Sequence, residues 1–560
     1  MIPQFNPLSS FYPLSLFANG EPGFWLDPSD LSTMYQDSAG TTPVTAVEQP
    51  VGLILDKSQG LVLGAELVTT YVASGAFGNW NGMSLAGGVL TTSGAPVNGY
   101  SAQVPVTASA MYKVVLPSAS VPVGGTWSYV VSWSANGVSY SGQVMTAAIG
   151  SLSFYFLAPA TATKCEVTIQ RTGASSGGAT DTCTFNGFSV KKIAGTHYYQ
   201  STAGVRPVLS ARVNRLIATE NFASASWAAT FGGTGTGGYT KTPNYNAAPD
   251  GTQTACRLQL TIGAGTASID YCGMYQTLGA SYANQSGTWW IKSNTTPATI
   301  TFVASQKTIT TAWQQFTVSQ AIQYFQLAIA GNDGSTKTVD ISVWHPDCRD
   351  TDQATGLIPT YQRVNTSTDY DTAGFPLYLS GNGTQWMQCA AQDYTGVNKM
   401  LVVAGVRKLS DAALGVITEL SANYGSNNGT FYVGASASSA ARYGFGAKAT
   451  KYAGYEPATF AAPITNVLSC AYDLSTATQA SQIQPRINGA LNQTNGFVEA
   501  GGPTTGAFGN YAAYLFSRAG SASFLTGQIF QIIARGSTVA SNAAQIASTE
   551  AWTNSKTKAY

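Results

Sequence analysis

Apolar and polar residues alternate with a period of two along most of this chain, the pattern of β-strands that lay one face on a core. Residues 112–116 (Tyr-Lys-Val-Val-Leu), 127–133 (Trp-Ser-Tyr-Val-Val-Ser-Trp) and 151–156 (Ser-Leu-Ser-Phe-Tyr-Phe) show it. Turn residues separate the runs: Gly124-Gly125, Asn136-Gly137 and Asn186-Gly187. Asn-Gly tolerates positive φ at both positions and is the favoured two-residue hairpin turn. Further strands are predicted at 400–406, 429–434 and 528–533, with a hairpin over Asn488-Gly489. A helical period stands out only from Ser541 to Trp552, where Ala543, Ile546, Ala547 and Ala551 would form an apolar stripe. The fold class is therefore all-β: an extended N-terminal segment, three β-sandwich domains of jelly-roll or lectin-like type, and one short C-terminal helix.

The segment 1–60 stands apart. Pro3, Pro7, Pro13, Pro22, Pro28, Pro43 and Pro50 interrupt it, so it is expected to be extended and irregular. Phe5, Phe11, Tyr12, Leu16, Phe17, Phe24, Trp25 and Leu26 are too apolar for a free tail, so the segment must lie on another surface. That surface is either its own neighbouring domain or a larger assembly. Residues 61–195 read as one sandwich and 214–349 as a second of similar plan, with a linker at 196–213 and a connector at 350–373. The last domain would span 374–560.

Composition narrows the function. Lys and Arg number 27 and Asp and Glu 26, a net charge of +1, and charged residues make up only 9% of 560. Such a chain has no basic field with which to gather nucleic acid. No apolar run is long enough to span a membrane, and the first residues lack the basic-then-apolar plan of a secretory signal. Seven cysteines show no CxxC pair, which argues against zinc. The spacings Cys165/Cys183 and Cys256/Cys272 allow cross-strand disulfides, but buried free thiols fit an odd count better.

Catalytic motifs are scarce. The two histidines, His197 and His345, lie in different regions, and no GxSxG, HExxH or P-loop is present. The glycine-rich run 232–238 lacks the Lys-Ser/Thr of a phosphate loop. Asp350 with Asp352, and Asp369 with Asp371, are the carboxylate pairs a glycosidase would need, but both fall in a connector and not on a rigid face. No enzyme activity is expected.

One segment carries a resemblance. Gly23-Phe24-Trp25-Leu26-Asp27-Pro28-Ser29-Asp30-Leu31 is followed by Met34-Tyr35-Gln36-Asp37, Gly40-Thr41-Thr42-Pro43-Val44, Gln49-Pro50-Val51-Gly52 and Leu55-Asp56-Lys57-Ser58. This series resembles a segment of phage virion proteins, where it precedes carbohydrate-binding-module-like sandwiches and a terminal laminin-G or concanavalin A-like lectin domain. The resemblance implies a virion structural protein, a tail fibre or appendage made in the host cytoplasm. It would be a homotrimer, joined to other virion proteins through Phe24, Trp25, Leu26, Asp27, Pro28 and Asp30. The outer domains would bind host surface glycan. A decoration protein without a receptor role, or a polysaccharide depolymerase, are the alternatives. Sugar rings stack on aromatic faces while amides and carboxylates read the hydroxyls. Trp80, Trp227, Trp290, Tyr394, Tyr424 and Tyr443 are the candidate platforms, with Asn427 and Asn428 beside them. Of the adjacent Trp289 and Trp290, one should face the core and one outward. A structural calcium joining the first and last strands of the first module would use Glu66 and Asp181.

Overall fold

The computed structural model describes residues 11–72, 81–92, 98–117, 126–173, 181–233, 237–263, 266–332, 334–435 and 441–560. Phe5, Trp80, the Gly124-Gly125 turn and the middle of the 232–238 glycine run lie outside them. The protein is all-β, built of antiparallel sheets, with α-helices at Gln479–Gln482 and Ala543–Thr557 among the described residues. None of these helices is long and apolar enough to cross a membrane.

The chain forms two compact units. The first gathers Met1–Leu209, Tyr378–Ala462 and Asn466–Thr557; the second is Ser210–Leu377 with Pro463–Thr465 and Lys558–Tyr560. The N-terminal segment, the first sandwich and the last domain, read from sequence as three successive pieces, thus belong to one unit. The second sandwich keeps its connector.

In the first unit, a seven-stranded and a four-stranded sheet make the sandwich expected within 61–195. Val114, Leu116, Tyr129, Val131, Phe154, Val167 and Ile169 meet in its core. Glu66 and Asp181 do not come together there as a calcium site. Glu66, exposed on Leu63–Glu66 of the smaller sheet, accepts from Ser189 Oγ, Val190 N and Val68 N. Asp181, buried beside the larger sheet, is paired with Arg171. Each carboxylate is occupied by its own neighbours, and no group of three or more His, Cys, Asp or Glu among the described residues could hold a metal.

The rest of the first unit is built on an eight-stranded and a ten-stranded sheet, with a two-stranded pair, Gln392–Asp393 against Asn510–Tyr511, and the two helices. In the first of these, Thr526–Ser537 pairs on one side with Lys399–Lys408 and on the other with Tyr378–Asn382 and then Gly23–Leu26. The expectation of an irregular N-terminal segment fails here. Pro22 and Pro28 bracket the paired run and do not interrupt it, so four consecutive residues keep their donors. The expected linker fails for a similar reason. Tyr198–Tyr199 is an inner strand of the ten-stranded sheet, between Leu53–Ile54 and Met387–Cys389, and His197 and Tyr198 are buried.

Asn488 and Gly489, at φ of 50° and 81°, form the hairpin predicted for them, joining Ile483–Ile487 to Ala490–Leu491. Asn186-Gly187 instead carries the chain from one sheet of the sandwich to the other. The C-terminal helix runs on to Thr557 and turns inward a face rotated away from the predicted alanines. Thr549, Glu550, Thr553 and Thr557 are buried, while Ala543, Ala547 and Ala551 are exposed. Glu550 accepts from Arg486 Nε at 2.8 Å and Ser469 Oγ at 2.5 Å, which compensates its burial. The helix approaches its sheet closely because Gly405 leaves room: a Cβ there would strike Thr557 Oγ1. Gly405→Val is expected to lower the melting temperature through overpacking of about 1–3 kcal/mol, measured by calorimetry.

The second unit is an eight-stranded sheet whose long strands Tyr271–Ser293 and Gln314–Ala330 shift register near Thr277, Tyr282 and Gln285. Residues from both ends of these strands, among them Cys272, Met274, Trp289, Ile291, Val318 and Phe325, share one core. All seven cysteines are free and buried.

Candidate functional site

The residues expected to grip a partner particle are spent inside the molecule. Phe24, Trp25, Leu26, Asp27 and Pro28 are buried and Asp30 is half-buried. Phe24 packs edge-on to Tyr198, and Trp25 lies between Tyr12 and Trp552. Asp27 and Asp30 both hold Lys57, at 3.3 and 2.7 Å. An extended apolar segment needs a surface to cover, and this one covers its own last domain.

The aromatic candidates divide. Trp227 is core: its ring lies against Phe222 and Trp289, and its Nε1 donates to Ala218 O. Tyr394 and Tyr443 are buried as well; the Tyr394 hydroxyl donates to Gln392 Oε1, and Tyr443 accepts from Asn466 Nδ2. Trp289 faces the core and Trp290 the other side, half-buried with Trp344 and Trp313. Tyr424 borders a cleft.

The carboxylate pairs are also engaged. Asp350 is 2% exposed and accepts two hydrogen bonds from Arg215 Nη2, both at 2.8 Å. Asp369 and Asp371 flank Arg363 at 3.1 and 3.0 Å. Asp352 sits in the 3-10 turn Thr351–Gln353. His345 stacks between Trp344 and Tyr361 and lies 3.3 Å from Glu220, and His197 is buried in another unit.

The cleft beside Tyr424 is built on three neighbouring strands of the ten-stranded sheet: Thr430–Ala435, Tyr443–Lys448 and Tyr452–Tyr455. Gly434 pairs with Gly444, Tyr432 with Gly446, and Gly446 with Gly454, so these glycines share one face. They form a floor against which rings pack. Tyr432 covers Gly434, Phe497 covers Gly454, and Tyr424 sits against Gly446, each within the space a Cβ would need. Glycine inside a strand marks such a close approach.

Tyr424 and Tyr432 stack with centroids 4.9 Å apart and planes 12° from parallel. The Arg518 guanidinium lies 5.5 Å from the first ring and 6.0 Å from the second, within cation–π range. Glu419, wholly buried beneath, fixes both parts. Its carboxylate accepts Arg518 Nε at 3.0 Å and the Tyr424 amide at 2.5 Å. Arg518 thus has its Nε committed, and its two Nη groups have no partner among the described residues. Burial raises the Glu419 carboxyl above the usual range, opposed by the Arg518 charge. Burial also raises the Tyr424 and Tyr432 phenols, so both remain neutral hydroxyls at ordinary pH. Leu414, Tyr452, Glu456 and Asn495 complete a cavity of 370 Å³. Apolar ring faces, neutral hydroxyls, a fixed guanidinium, a carboxylate and an amide converge there, which suits a small polyhydroxylated ring.

Sequence reasoning reached Tyr424 but missed Glu419, Arg518 and the glycine floor. Glu419 and Arg518 are 99 residues apart and meet only through the sheet. The glycines at 434, 444, 446 and 454, recurring within strand patterns, were the available signal.

No family model and no curated protein matches the chain. Among solved structures, the carbohydrate-binding module CBM40 of the Ruminococcus gnavus IT-sialidase, bound to α2,6-sialyllactose, is 13% identical with a TM-score of 0.21, covering 29% of this chain and 97% of that one. A Trypanosoma rangeli sialidase in complex with sialic acid is 7% identical, also with a TM-score of 0.21, covering 84% of this chain and 82% of that one. At TM-scores of 0.21, nothing passes from these proteins to this chain.

Proposed function

We propose that this chain is a glycan-binding protein and that the Tyr424–Arg518 cleft is where a sugar binds. The observation that carries the reading is the fixed pairing of a stacked tyrosine with a guanidinium held by a buried carboxylate. An Arg–Glu pair at a sheet surface gains little stability when exposed. Buried under a cleft, it orients the remaining N–H groups toward whatever enters. The contribution is recognition, with the ring face supplying contact and the polar rim supplying orientation.

The finer reading, a phage tail fibre or appendage acting as a homotrimer on the virion, is supported by the segment 23–58 alone. With residues 24–28 closed into the core, attachment to a particle would fall to other residues. Several copies on one particle would raise a modest affinity per site through effective concentration.

A glycan array probed with the full chain tests the cleft. Tyr424→Ala is expected to weaken the strongest signal about tenfold or more, a loss of roughly 1.4 kcal/mol. Absence of binding to any glycan, or unchanged binding by the variant, would remove the cleft from consideration.

A further inference from the structure

The second unit exposes one face of its sheet. Over Tyr271–Tyr275 and the residues paired with them, 326–330, successive side chains point to opposite faces. Cys272, Met274, Phe325, Leu327 and Ile329 point into the core. Tyr271, Gly273 and Tyr275, opposite Ala330, Ala328 and Gln326, point the other way. Nothing in the described part of the unit fills the space above them, a cavity of 520 Å³.

The floor of this trough is low for a structural reason. Thr230, Gly273, Ala328 and Thr301 are register partners on four adjacent strands, a row about 14 Å long at ordinary strand spacing. A Cβ at Gly273 would strike the Leu327 carbonyl and the Ala328 methyl, so the row admits nothing larger there. Tyr271 and Tyr275, four residues apart on one strand, stand about 13 Å from each other on either side of the row. The ring of Tyr324, 47% exposed, meets that of Tyr275 edge to face at 5.8 Å.

The chemistry of the lining selects the occupant. It consists of Tyr, Thr, Ser, Gln and Ala, with no charged side chain. The hydroxyls of Tyr271, Tyr275 and Tyr324 and the amide of Gln326 take no protein partner among the described residues. Gln276 and Gln285, elsewhere in this unit, are bonded to the chain itself, to Ile217 and Asp350. Aromatic edges, unspent neutral hydrogen-bonding groups and a narrow row without charge suit an uncharged chain of polyhydroxylated rings. A protein partner would want a broader apolar patch, and an anionic chain would want cations.

We infer that the Tyr271/Tyr275/Tyr324 trough is a second binding site, independent of the Tyr424 cleft, and that it takes a neutral polysaccharide chain. Trp227 and Trp290, the platforms expected in this module from sequence, lie in the core and in a different cluster respectively.

Affinity electrophoresis of the full chain tests this, with gels containing galactomannan, xyloglucan, dextran or soluble starch, and polygalacturonate as the charged comparison. At least one neutral polysaccharide is expected to retard the protein. The double variant Tyr275→Ala/Tyr324→Ala should raise the apparent Kd at least tenfold with an unchanged melting profile, since Tyr324 is exposed and Tyr275 is not a core residue. Tyr424→Ala should retain the retardation. Retardation by polygalacturonate alone, by no polysaccharide, or equally in wild type and double variant would overturn the proposal. Retardation lost in Tyr424→Ala but kept in the double variant would also overturn it, assigning the binding to the cleft.

Discussion

Trp25→Ala should destabilise the first unit by about 3–5 kcal/mol, the cost of deleting a fully buried large aromatic. The side chain is 1% exposed and takes part in three kinds of contact. Its ring packs edge to face with Tyr12 at 5.0 Å and Trp552 at 6.4 Å. The Lys57 ammonium lies 4.5 Å above it, held there by Asp27 and Asp30. With the Gln531 amide turned so that its oxygen faces the indoles, that oxygen accepts from Trp25 Nε1 at 2.6 Å and from Trp552 Nε1 at 3.1 Å. Alanine would leave a cavity between the N-terminal segment, the strand Thr526–Ser537 and the C-terminal helix, and would strand part of that hydrogen-bond pair. Calorimetry of the full chain should show the transition of the first unit moved to lower temperature and that of the second unit unmoved. Trp25→Phe should cost less, since one aromatic ring remains and only the pyrrole half of the indole, with its Nε1 bond, is lost. An unchanged thermogram for Trp25→Ala would mean that the segment does not close the core in solution and would return it to the role of an exposed anchor.

The same residue shows what could be read from sequence and what could not. Its burial was legible: an apolar run broken by prolines must cover something. The surface it covers was not, because Trp25 and Ile533 are paired across some five hundred positions and no local pattern records such a partner. The all-β class followed from alternation, which is local, and so did the Asn488-Gly489 hairpin. The inward face of the last helix did not. Its alanines gave an apolar stripe, but Thr553 and Thr557 fit against Gly405, and Glu550 finds Arg486. Shape against Gly405 and a charged partner for Glu550 decided which face turned inward. Binding platforms were misread for a related reason. Tryptophans such as Trp227 are large enough to be wanted in the core, whereas the exposed rings here are tyrosines, whose hydroxyls tolerate water.

Asp56→Ala should be as damaging as loss of Trp25. Asp56 is wholly buried and ties three distant stretches of chain together. Its carboxylate accepts from Trp25 N, Ser58 N, Ser58 Oγ and Thr196 N, each at 2.7 Å. Its own amide donates to His197 Nδ1 at 3.0 Å. Removing the carboxylate leaves two buried backbone donors, Trp25 N and Ser58 N, and a part-buried one, Thr196 N, without an acceptor, at about 1–3 kcal/mol for each buried one and less than additive. Asp56→Asn separates charge from shape. Burial pushes the Asp56 carboxyl up to about 6 from its ordinary 3.8, despite the four donors. Between those values the folded state holds more proton than the unfolded state, so this group's contribution is full below pH 3.8 and is lost as pH rises through 6. His197 acts in the opposite sense. Burial lowers it to about 4 from 6.5, so its contribution is present above 6.5 and lost as pH falls toward 4. From about pH 4 to 6 the two slopes oppose each other, and wild-type stability should vary little through this pair. Asn cannot titrate, so the variant keeps only the His197 slope. Its deficit relative to wild type should widen on acidification by up to about 3 kcal/mol, at roughly 1.4 kcal/mol per pH unit. Urea unfolding of both proteins at pH 4.5, 5.5, 6.5 and 7.5 measures the gap. A gap that stays constant over that range would show that Asp56 does not change protonation there, and that its four donors hold it ionised throughout.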